Sequence, residues 1–378
     1  MQALYGYDLA VDSLKEIIAN ELSSEFEFDP ALHDSLDKKQ YEKKQRFVKR
    51  TFLERLEGQL PDDNIDTDIA EGVEKHQEQF GEQLAKERKM ARTRMEQEIR
   101  NIYRNYLKFL LIPGEVALIE KQEKERREKS HTKRRMDYFY HFINNPVVDA
   151  LSRYPLLADK VRDLKITWDQ DRDEMRSWYK DVWAKNETVL DYQTKKSPSE
   201  EDHFRAVKHL MKQLVFKEEV VDEYMSGADL HWSENKAILK SMVTKTIQSY
   251  DPQIEEMFEM KTLSLNEEDD FRYFRVLFDE TVDRDLDFQE IIANKSRNWD
   301  MSRVAKLDKI ILKMALTEMI MCPSIPVKVT INEFIEISKL YSTPKSKQFV
   351  NGILDVLANE LTSDGTIKKS GRGLIDNK

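Results

Sequence analysis

The scarcity of glycine and proline is the feature of this sequence that most restricts its fold. The chain has ten of each among 378 residues, where average usage would give about 26 glycines and about 19 prolines. A β-sandwich or β-barrel needs turn residues at short, regular intervals. The scarcity, together with apolar residues at helical spacing along the chain, predicts an all-α fold with under about a tenth of the residues in strands.

The cysteine, histidine and charge contents exclude several classes of function. The single cysteine, Cys322, rules out a disulfide framework and a cysteine-based zinc cluster, and the seven histidines contain no HExxH pair. No cofactor or metal ion is therefore predicted. No apolar run approaches the roughly 18 residues of a membrane span, and MQALYGYDLA is not a secretion signal, so we expect a cytoplasmic protein without membrane contact. The net charge of −10 argues against unspecific coating of nucleic acid, although a local basic surface can still bind it.

Changes in composition divide the chain into four predicted parts. These are a first helix at 1–25, an inserted helical region at 26–265, a C-terminal helical core at 266–362 and a flexible basic tail at 363–378. Within the inserted region we predict a polar linker at 28–72, long helices over 73–142 and helical units over 143–250. The apolar face of the first helix is predicted to consist of Leu4, Tyr5, Leu9, Val11 and Leu14.

Two segments of the inserted region each allow two interpretations. Residues 121–135 carry eight lysines and arginines against three glutamates, which is typical of a solvated helix face and also of an RNA-facing surface. Trp168, Trp178 and Trp183 mark the next segment, where aromatic and apolar residues follow helical spacing. Such a stripe is more often a buried core than a platform for stacked bases, and we expect a core.

An internal similarity links two helical segments of the chain. SEEDHFR at 199–205 is repeated as NEEDDFR at 266–272, and at the same offset of 67 residues Trp232 falls on Trp299. In this register nine of the 34 positions from 199 to 232 are identical. The similarity predicts two related helical units, each closed by a buried tryptophan, with a capping box of Ser199 and Asp202 at the start of the first.

The most informative stretch lies between residues 299 and 357. It contains, in order, the patterns W-x-x-x-R, L-D-K-x-I-L-K-x-A-L-x-E, I-P-x-K-V-x-I-N-E and S-x-x-F-V-N-G-x-L-D. We predict a helix at 307–320, a second with a capping box of Thr330 and Glu333, and a last helix that begins at Thr343-Pro344. Gly352 lies inside this last helix, where glycine costs about 1 kcal/mol relative to alanine. We therefore expect a neighbouring helix to approach closely there, with an exposed backbone contact to RNA as the alternative.

This succession of motifs strongly resembles the NusB family of bacterial transcription antitermination factors, as do FRYFRVLFDETV at 271–282 and MQALYGYDL at the start of the chain. The resemblance covers roughly 1–20 and 268–360. It implies a NusB-like helical bundle formed by residues 1–25 and 266–362, with a large inserted region as in the longer proteins of this kind. The implied function is non-enzymatic: binding of boxA-like single-stranded RNA from ribosomal RNA operons together with NusE, a ribosomal small-subunit protein, in the transcription elongation complex.

The resemblance also assigns roles to individual residues. Ser346, Gln348 and Phe349 fall in the RNA-contacting start of the last helix. Asp308 falls on an acidic position of the surface that meets NusE, and Tyr5 falls on the aromatic residue of the first helix, a further partner-binding position.

The residues around this helix start support an RNA site by their chemistry alone. Lys345 and Lys347 supply positive charge for phosphates at a helix N-terminus, which itself attracts anions, and Phe349 is a planar side chain of the kind that stacks on bases. For Phe349, base stacking and burial in the core remain equal alternatives. For the two lysines, phosphate binding and simple surface solvation also remain open.

Two departures from the family pattern bear on the strength of RNA binding. Members of the family open with an arginine-rich stretch before Q-A-L-Y, whereas this sequence begins at Met1-Gln2. We therefore expect weaker RNA binding than an extended chain would show. Pro344-Lys345 stands where an acidic pair often precedes the serine of the last helix, which makes this site more basic.

Two other functions compete with RNA-dependent antitermination. The first is a helical protein-interaction scaffold with a weakened RNA site. The second is the RNA-binding part of a system that modifies ribosomal RNA, which would need a Rossmann-like domain with a glycine-rich turn and a catalytic cysteine. The only G-x-G triplet is Gly371-Arg372-Gly373 in the tail, and Cys322 lies in the NusB-like segment. The residue pattern indicates no oligomeric state.

Overall fold

The computed structural model describes residues 1–27, 38–58, 65–129, 138–254, 257–295 and 304–375. Helical residues make up 81% of this described part of the chain, and no β-strand occurs in it, which confirms the predicted all-α class. Short 3₁₀ turns and one π-helical turn, Leu210–Leu214, join several of the helices. The α-helices are α1 Gln2–Ser24, α2 Lys38–Leu56, α3 Thr67–Leu110, α4 Ile112–Lys129, α5 Pro146–Arg153, α6 Pro155–Asp163, α7 Arg172–Asp181, α8 Glu187–Thr194, α9 Glu200–His209, α10 Val215–Lys217, α11 Glu219–Ala228, α12 Trp232–Gln248, α13 Glu267–Asp283, α14 Asp285–Lys295, α15 Lys306–Met321, α16 Val327–Tyr341 and α17 Ser346–Ser363.

These helices form two compact units. The first unit combines Met1–Glu96 with Asn266–Lys378, and the second unit is Gln97–Leu265. The junction at 265/266 coincides with the predicted start of the C-terminal core. The predicted inserted region, 26–265, is divided between the units, because its first part folds with the first unit.

The first unit is built around α15, which is buried on nearly all sides. Eleven of its 16 residues are buried, from Asp308 to Met319, and α13, α14, α16 and α17 contact it. Its buried polar groups are paired: Lys313 bonds to Asp285, and the hydroxyls of Thr317 and Thr281 lie 2.8 Å apart. Pairing of this kind removes most of the cost of burying polar atoms. Helix α15 is therefore the central helix of the bundle that the NusB-like motifs predicted.

A second hydrophobic cluster of the first unit joins the end of α1 to α2 and the start of α3. Ile18 and Leu22 of α1 and Val48 and Phe52 of α2 are fully buried in it. Helix α2 lies inside 28–72, which we predicted to be a polar linker. The linker prediction failed there because ten of the 19 residues of α2 are charged. With so many charges, the few residues that form the buried face of α2, Val48, Thr51 and Phe52, do not stand out as a helical pattern.

The exposed and buried faces of α1 also differ from the prediction. Leu4 and Tyr7 are buried in the core around α15, whereas Tyr5 is 38% and Leu9 43% exposed. The face continues through the partly buried Val11 and Leu14 to the buried Ile18 and Leu22, at intervals of three or four residues, as expected for one face of an α-helix. Tyr5 and Leu9 therefore lie outside the apolar face to which we assigned them.

Residues after α17 are folded rather than forming the flexible tail predicted for 363–378. The backbone N–H of Ile367 donates to Leu361 O at 2.8 Å, and the Ile367 side chain is buried. Lys369 Nζ donates to Cys322 O at 3.0 Å, and the N–H of Ser370 donates to Pro323 O at 2.9 Å. The last two bonds attach residues 369 and 370 to the carbonyl groups of Cys322 and Pro323, which directly follow α15. Residues 376–378 lie outside the described ranges.

The second unit has its own core, which contains the three tryptophans of 143–250 that we expected to be buried. Trp168, Trp178 and Trp183 are 1%, 3% and 1% exposed. The ring centroids of Trp168 and Trp178 lie 5.9 Å apart in an edge-on arrangement, and Lys108 Nζ lies 4.1 Å from the Trp168 centroid. The predicted core role of this aromatic segment is confirmed.

The long helices predicted over 73–142 are α3 and α4, and the helical structure is interrupted before residue 142. Helix α3 ends at Leu110 and α4 begins at Ile112, so Pro113 lies in the first turn of α4, where its missing N–H costs nothing. Helix α4 is described to Lys129, and residues 138–140 are not helical. Residues 130–135 of the basic segment lie outside the described ranges.

The internal similarity is reflected in helix positions. Ser199 and Asp202 form the predicted capping box of α9, and Asn266 caps α13 by accepting from Asp269 N. Helical structure runs over 200–217 and 267–283, which agrees with the offset of 67 residues. Trp232 is buried, as predicted, whereas Trp299 and Arg303 lie outside the described residues. The equivalence of the two tryptophans stays a prediction.

Candidate nucleic-acid interface

The candidate site is the start of α17, in the first unit. Lys345, Lys347 and Gln348 are exposed there, and neither lysine has an ion-pair partner among the described residues. Ser346 and Phe349 are buried, at 6% and 5% exposure. The predicted RNA-binding residues are therefore of two kinds: three reach the surface, and two face the interior.

A tight turn determines where α17 begins. The N–H of Ser346 donates to Thr343 O at 2.9 Å, and the hydroxyls of these two residues also lie 2.9 Å apart. The helix starts at Ser346 rather than at Thr343-Pro344 as predicted, because residues 344 and 345 form this turn. Likewise α16 starts at Val327, so Thr330 lies inside it and bonds to Pro326 O instead of forming a capping box with Glu333.

Asp308, a buried residue of α15, stabilises this turn through hydrogen bonds. Its carboxylate is 4% exposed and accepts a hydrogen bond from Ser342 Oγ at 2.6 Å. Ser342 Oγ lies 2.8 Å from Ser346 Oγ, so a chain of hydrogen bonds joins α15 to the first residue of α17. In this position Asp308 orients the start of α17, and it offers no exposed carboxylate. Its predicted contact with NusE stays a prediction. Ser342 lies 34 residues from Asp308, and no motif in the sequence marks it as part of the site.

The ring of Phe349 packs in the core of the first unit. It shares that core with Val350, Ile353 and Leu354, one and two turns along the same helix. Of the two alternatives left open by the sequence, the structure places Phe349 in the core. A buried ring has no free face for a base, so in this arrangement its contribution is to fix the rotation of α17.

The exposed start of α17 has the chemistry of an anion site. The first turn of a helix leaves backbone N–H groups without intrahelical partners, and the helix dipole adds partial positive charge there. Lys345 and Lys347 add two full charges, and the exposed amide of Gln348 can both donate and accept. Lys345 to Gln348 can therefore bind phosphate oxygens and read the edge of an unpaired base.

Gly352 leaves the backbone of α17 open beside this site. A Cβ atom added to Gly352 would meet nothing within 4 Å, so the close approach of a neighbouring helix that we expected is absent. Gly352 lies one turn after Gln348, on the same face of the helix. The remaining explanation from the sequence, an exposed backbone position in the RNA surface, agrees with this geometry.

Tyr5, the second predicted partner-binding residue, lies on the exposed side of α1. Helix α1 is fastened to α15 by Lys306, whose Nζ lies 3.0 Å from Asp8 Oδ2 and 2.5 Å from Asp12 Oδ2. Tyr5 is therefore carried on a fixed helix with its ring accessible. Its role in partner binding stays a prediction.

Among the described residues, no group of three or more His, Cys, Asp or Glu side chains could hold a metal ion. None of the described helices combines the length and the apolar character needed to cross a bilayer.

The fold and the site define an all-α protein whose C-terminal helices pack around one buried helix and present a cationic helix start to solvent. Residues 235–359 match the NusB family. The C-terminal part of this chain therefore contains a NusB family domain. The match begins within α12, earlier than the resemblance read from the sequence, so its first residues, 235–265, belong to the second unit.

Curated relatives match the same end of the chain. The transcription antitermination protein NusB of Chloroherpeton thalassium is 50% identical over 90 residues, which are 24% of this chain and 43% of that protein. NusB of Salinibacter ruber is 43% identical over 99 residues (26% of this chain and 62% of that protein). NusB of Natranaerobius thermophilus is 36% identical over 91 residues (24% and 66%). The chain thus matches about half to two thirds of the length of these relatives. No solved structure matches it significantly.

Proposed function

We propose that this chain is a non-enzymatic, RNA-binding transcription antitermination factor. In this proposal it binds boxA-like single-stranded RNA of ribosomal RNA operons together with NusE, within the transcription elongation complex. The observation that carries the proposal is the exposed pair Lys345 and Lys347 at the start of α17, inside a segment that matches the NusB family. The three relatives are all transcription antitermination proteins, which supports the same conclusion.

Some of the proposed residues contact the RNA directly, and the others stabilise the start of α17. Lys345 and Lys347 neutralise phosphates, and the amide of Gln348 contacts a base beside the open backbone at Gly352. Ser346 and Phe349 act from inside: the first through its hydroxyl bonds in the turn, the second through its core packing. NusE binds to the same unit, where Tyr5 offers direct contact and Asp308 acts through the turn that it holds.

A titration of labelled RNA tests this proposal. We expect the wild type to bind a short boxA-like RNA, and the variant Lys345→Gln/Lys347→Gln to bind it more weakly. Each phosphate contact contributes about −0.7 to the slope of log affinity against log salt for single strands, so the variant slope should be less negative by about 1.4. The matched control is Lys86→Gln/Lys89→Gln, which removes two exposed lysines of α3 in the same unit. Equal affinity of wild type and site variant would overturn the assignment of the site.

The alternative is a helical protein-interaction scaffold whose RNA site is weak. The burial of Phe349 and Asp308 favours it, because these two predicted contact residues are not on the surface. Binding of NusE without any measurable binding of RNA, in the presence or absence of NusE, would establish the scaffold instead.

A further inference from the structure

The most concentrated positive charge in the described chain lies on α2, outside the matched NusB segment. This helix of 19 residues carries eight lysines and arginines against two glutamates, although the whole chain has a net charge of −10. Because α2 was predicted to be a linker, the sequence analysis assigned no function to it. It belongs to the same unit as the start of α17.

Four of these cations form a stripe along one face, which we call the α2 stripe: Lys39, Lys43, Arg46 and Arg50. They follow one another at intervals of four, three and four residues, and all four are exposed. At 1.5 Å of rise per residue the stripe is roughly 16 Å long. The stripe faces directly away from Val48 and Phe52, which are buried on the opposite side of the helix.

The α2 stripe differs from the other cations of the helix in its partners. Lys49 pairs with Glu16 of α1 at 2.9 Å, and Lys44 lies 3.5 Å from Asp66, so these two lysines link α2 to its surroundings. Lys39 and Lys43 have no ion-pair partner among the described residues.

The two arginines of the stripe make contacts only within α2: each forms an exposed ion pair, and Arg50 also lies 5.6 Å from the centroid of the Phe47 ring. Arg46 and Arg50 reach Glu42 and Glu54 of their own helix at 3.8 and 3.4 Å, with side chains 80% and 66% exposed. Exposed pairs of this kind contribute little to stability. All four cations are therefore available to an anionic partner.

The stability of α2 does not explain the stripe. Like charges three or four residues apart on a helix repel one another, and the stripe consists of three such pairs in succession. The first turn of α2 also has no acidic residue, so Lys38 and Lys39 stand at the end of the helix where its dipole is already positive. A binding partner that neutralises these charges would remove both unfavourable terms.

We propose that the α2 stripe is a second RNA-binding surface, which holds the phosphate backbone of the RNA bound by this unit. The proposal rests on the proposed function. A linear series of exposed cations matches a polyphosphate chain, and charge neutralisation of this kind is independent of base sequence. An anionic membrane fits less well, because a membrane-bound helix places apolar side chains beside its cations, whereas the apolar side chains of α2 are buried against α1 and α3.

The test compares three variants of the full chain with the wild type. In the stripe variant, Lys39→Gln/Lys43→Gln/Arg46→Gln/Arg50→Gln, four charges are removed. The matched control, Lys160→Gln/Lys165→Gln/Lys196→Gln/Lys217→Gln, removes four exposed lysines of the second unit. The third variant is Lys345→Gln/Lys347→Gln. Each protein is titrated with a labelled boxA-like RNA and with a scrambled RNA over a range of salt concentrations, and the wild type is also tested for binding to vesicles rich in anionic lipid.

We expect the stripe variant to bind both RNAs at least about tenfold more weakly at low salt, with a salt slope less negative by up to about 2.8, four contacts at about 0.7 each. The control variant should bind like the wild type. The stripe variant should melt at about the same temperature as the wild type at low salt, because the three repulsive pairs that it loses offset the two exposed ion pairs of Arg46 and Arg50, which contribute little. If the stripe only stabilised the fold, the stripe variant would instead melt at a lower temperature than the wild type.

The outcomes separate this proposal from the proposed function. If the stripe variant binds like the wild type while Lys345→Gln/Lys347→Gln weakens binding, the stripe proposal is overturned and the α17 site stands. If the control weakens binding as much as the stripe variant, the effect is one of net charge, which also overturns the proposal. If the wild type binds neither RNA but binds vesicles rich in anionic lipid, both the stripe proposal and the proposed function fail.

Discussion

Glu120 provides a sharp test of the packing of the second unit. Its carboxyl group is fully buried, and burial raises its pKa from the ordinary 4.5 to about 8. Hydrogen bonds from Tyr179 Oη at 2.8 Å, Gln193 Nε2 at 2.5 Å and Phe142 N at 3.1 Å oppose this rise only in part. The folded unit therefore keeps Glu120 protonated at neutral pH, while the unfolded chain ionises it.

The sign and size of the resulting pH dependence follow from proton binding. Between pH 4.5 and 8 the folded state binds one more proton than the unfolded state, so the free energy of unfolding falls as the pH rises. Each pKa unit corresponds to about 1.36 kcal/mol, and from pH 5.5 to pH 8 the change is 2.5 units, or roughly 3 kcal/mol. The stability due to this group is fully present below pH 4.5 and is lost as the pH passes through 8.

The variant Glu120→Gln isolates this contribution. An amide does not titrate in this pH range, although its nitrogen, which replaces Oε2, cannot accept the bond from Phe142 N, and this loss lowers stability equally at all pH values. Burial also lowers the pKa of His203 and His209, which makes stability rise with pH through their range. These contributions are common to wild type and variant, so they cancel in the difference.

Urea denaturation at pH 5.5 and pH 8.5, followed by tryptophan fluorescence, measures this difference. Four of the five tryptophans lie in the second unit, so the signal reports on it. The wild type should lose about 3 kcal/mol more than Glu120→Gln between these pH values. If wild type and variant lose the same free energy of unfolding between pH 5.5 and pH 8.5, Glu120 is ionised in the folded state and this reasoning is refuted.

Three further predictions concern the first unit. Phe349→Ala should lower the free energy of unfolding by about 3–5 kcal/mol, because it empties a core position, whereas an unchanged melting temperature would mean that the ring is not core. Gly352→Ala should raise stability by about 1 kcal/mol, since its Cβ meets nothing, and weaker RNA binding by this more stable variant would show that RNA approaches the backbone there. Ser342→Ala should cost about 1–3 kcal/mol by removing the hydroxyl donor to the buried Asp308 carboxylate, and calorimetry that finds no loss contradicts the hydrogen-bond chain.

Local patterns predicted the helical elements well where polar and apolar residues alternate at helical spacing. The motif helix predicted at 307–320 is α15, Lys306–Met321, and the capping box at Ser199 is present. Helix α2 was missed because its few apolar residues, chiefly Val48 and Phe52, are dispersed among charges. Its burial depends on α1 and α3, which a local pattern does not show.

The candidate site was predictable in position but not in its interior. Lys345 and Lys347 precede a strong apolar periodicity, which indicates an exposed helix start. The burial of Phe349 depends on the rotation of α17 against α15, and the bond between Asp308 and Ser342 joins residues far apart in sequence. Such contacts arise from tertiary packing, which no residue spacing encodes by itself.

RNA binding at the start of α17 is tested most directly by photo-crosslinking of the full chain to a boxA-like RNA that contains photoreactive uridines. The crosslinked residues are then identified by peptide mapping. We expect crosslinks within residues 345–352, on the exposed side of α17 at Lys347, Gln348 or Gly352. In the variant Lys345→Gln/Lys347→Gln, these crosslinks should be lost at the same RNA concentration. Crosslinks confined to the second unit, Gln97–Leu265, would contradict this expectation.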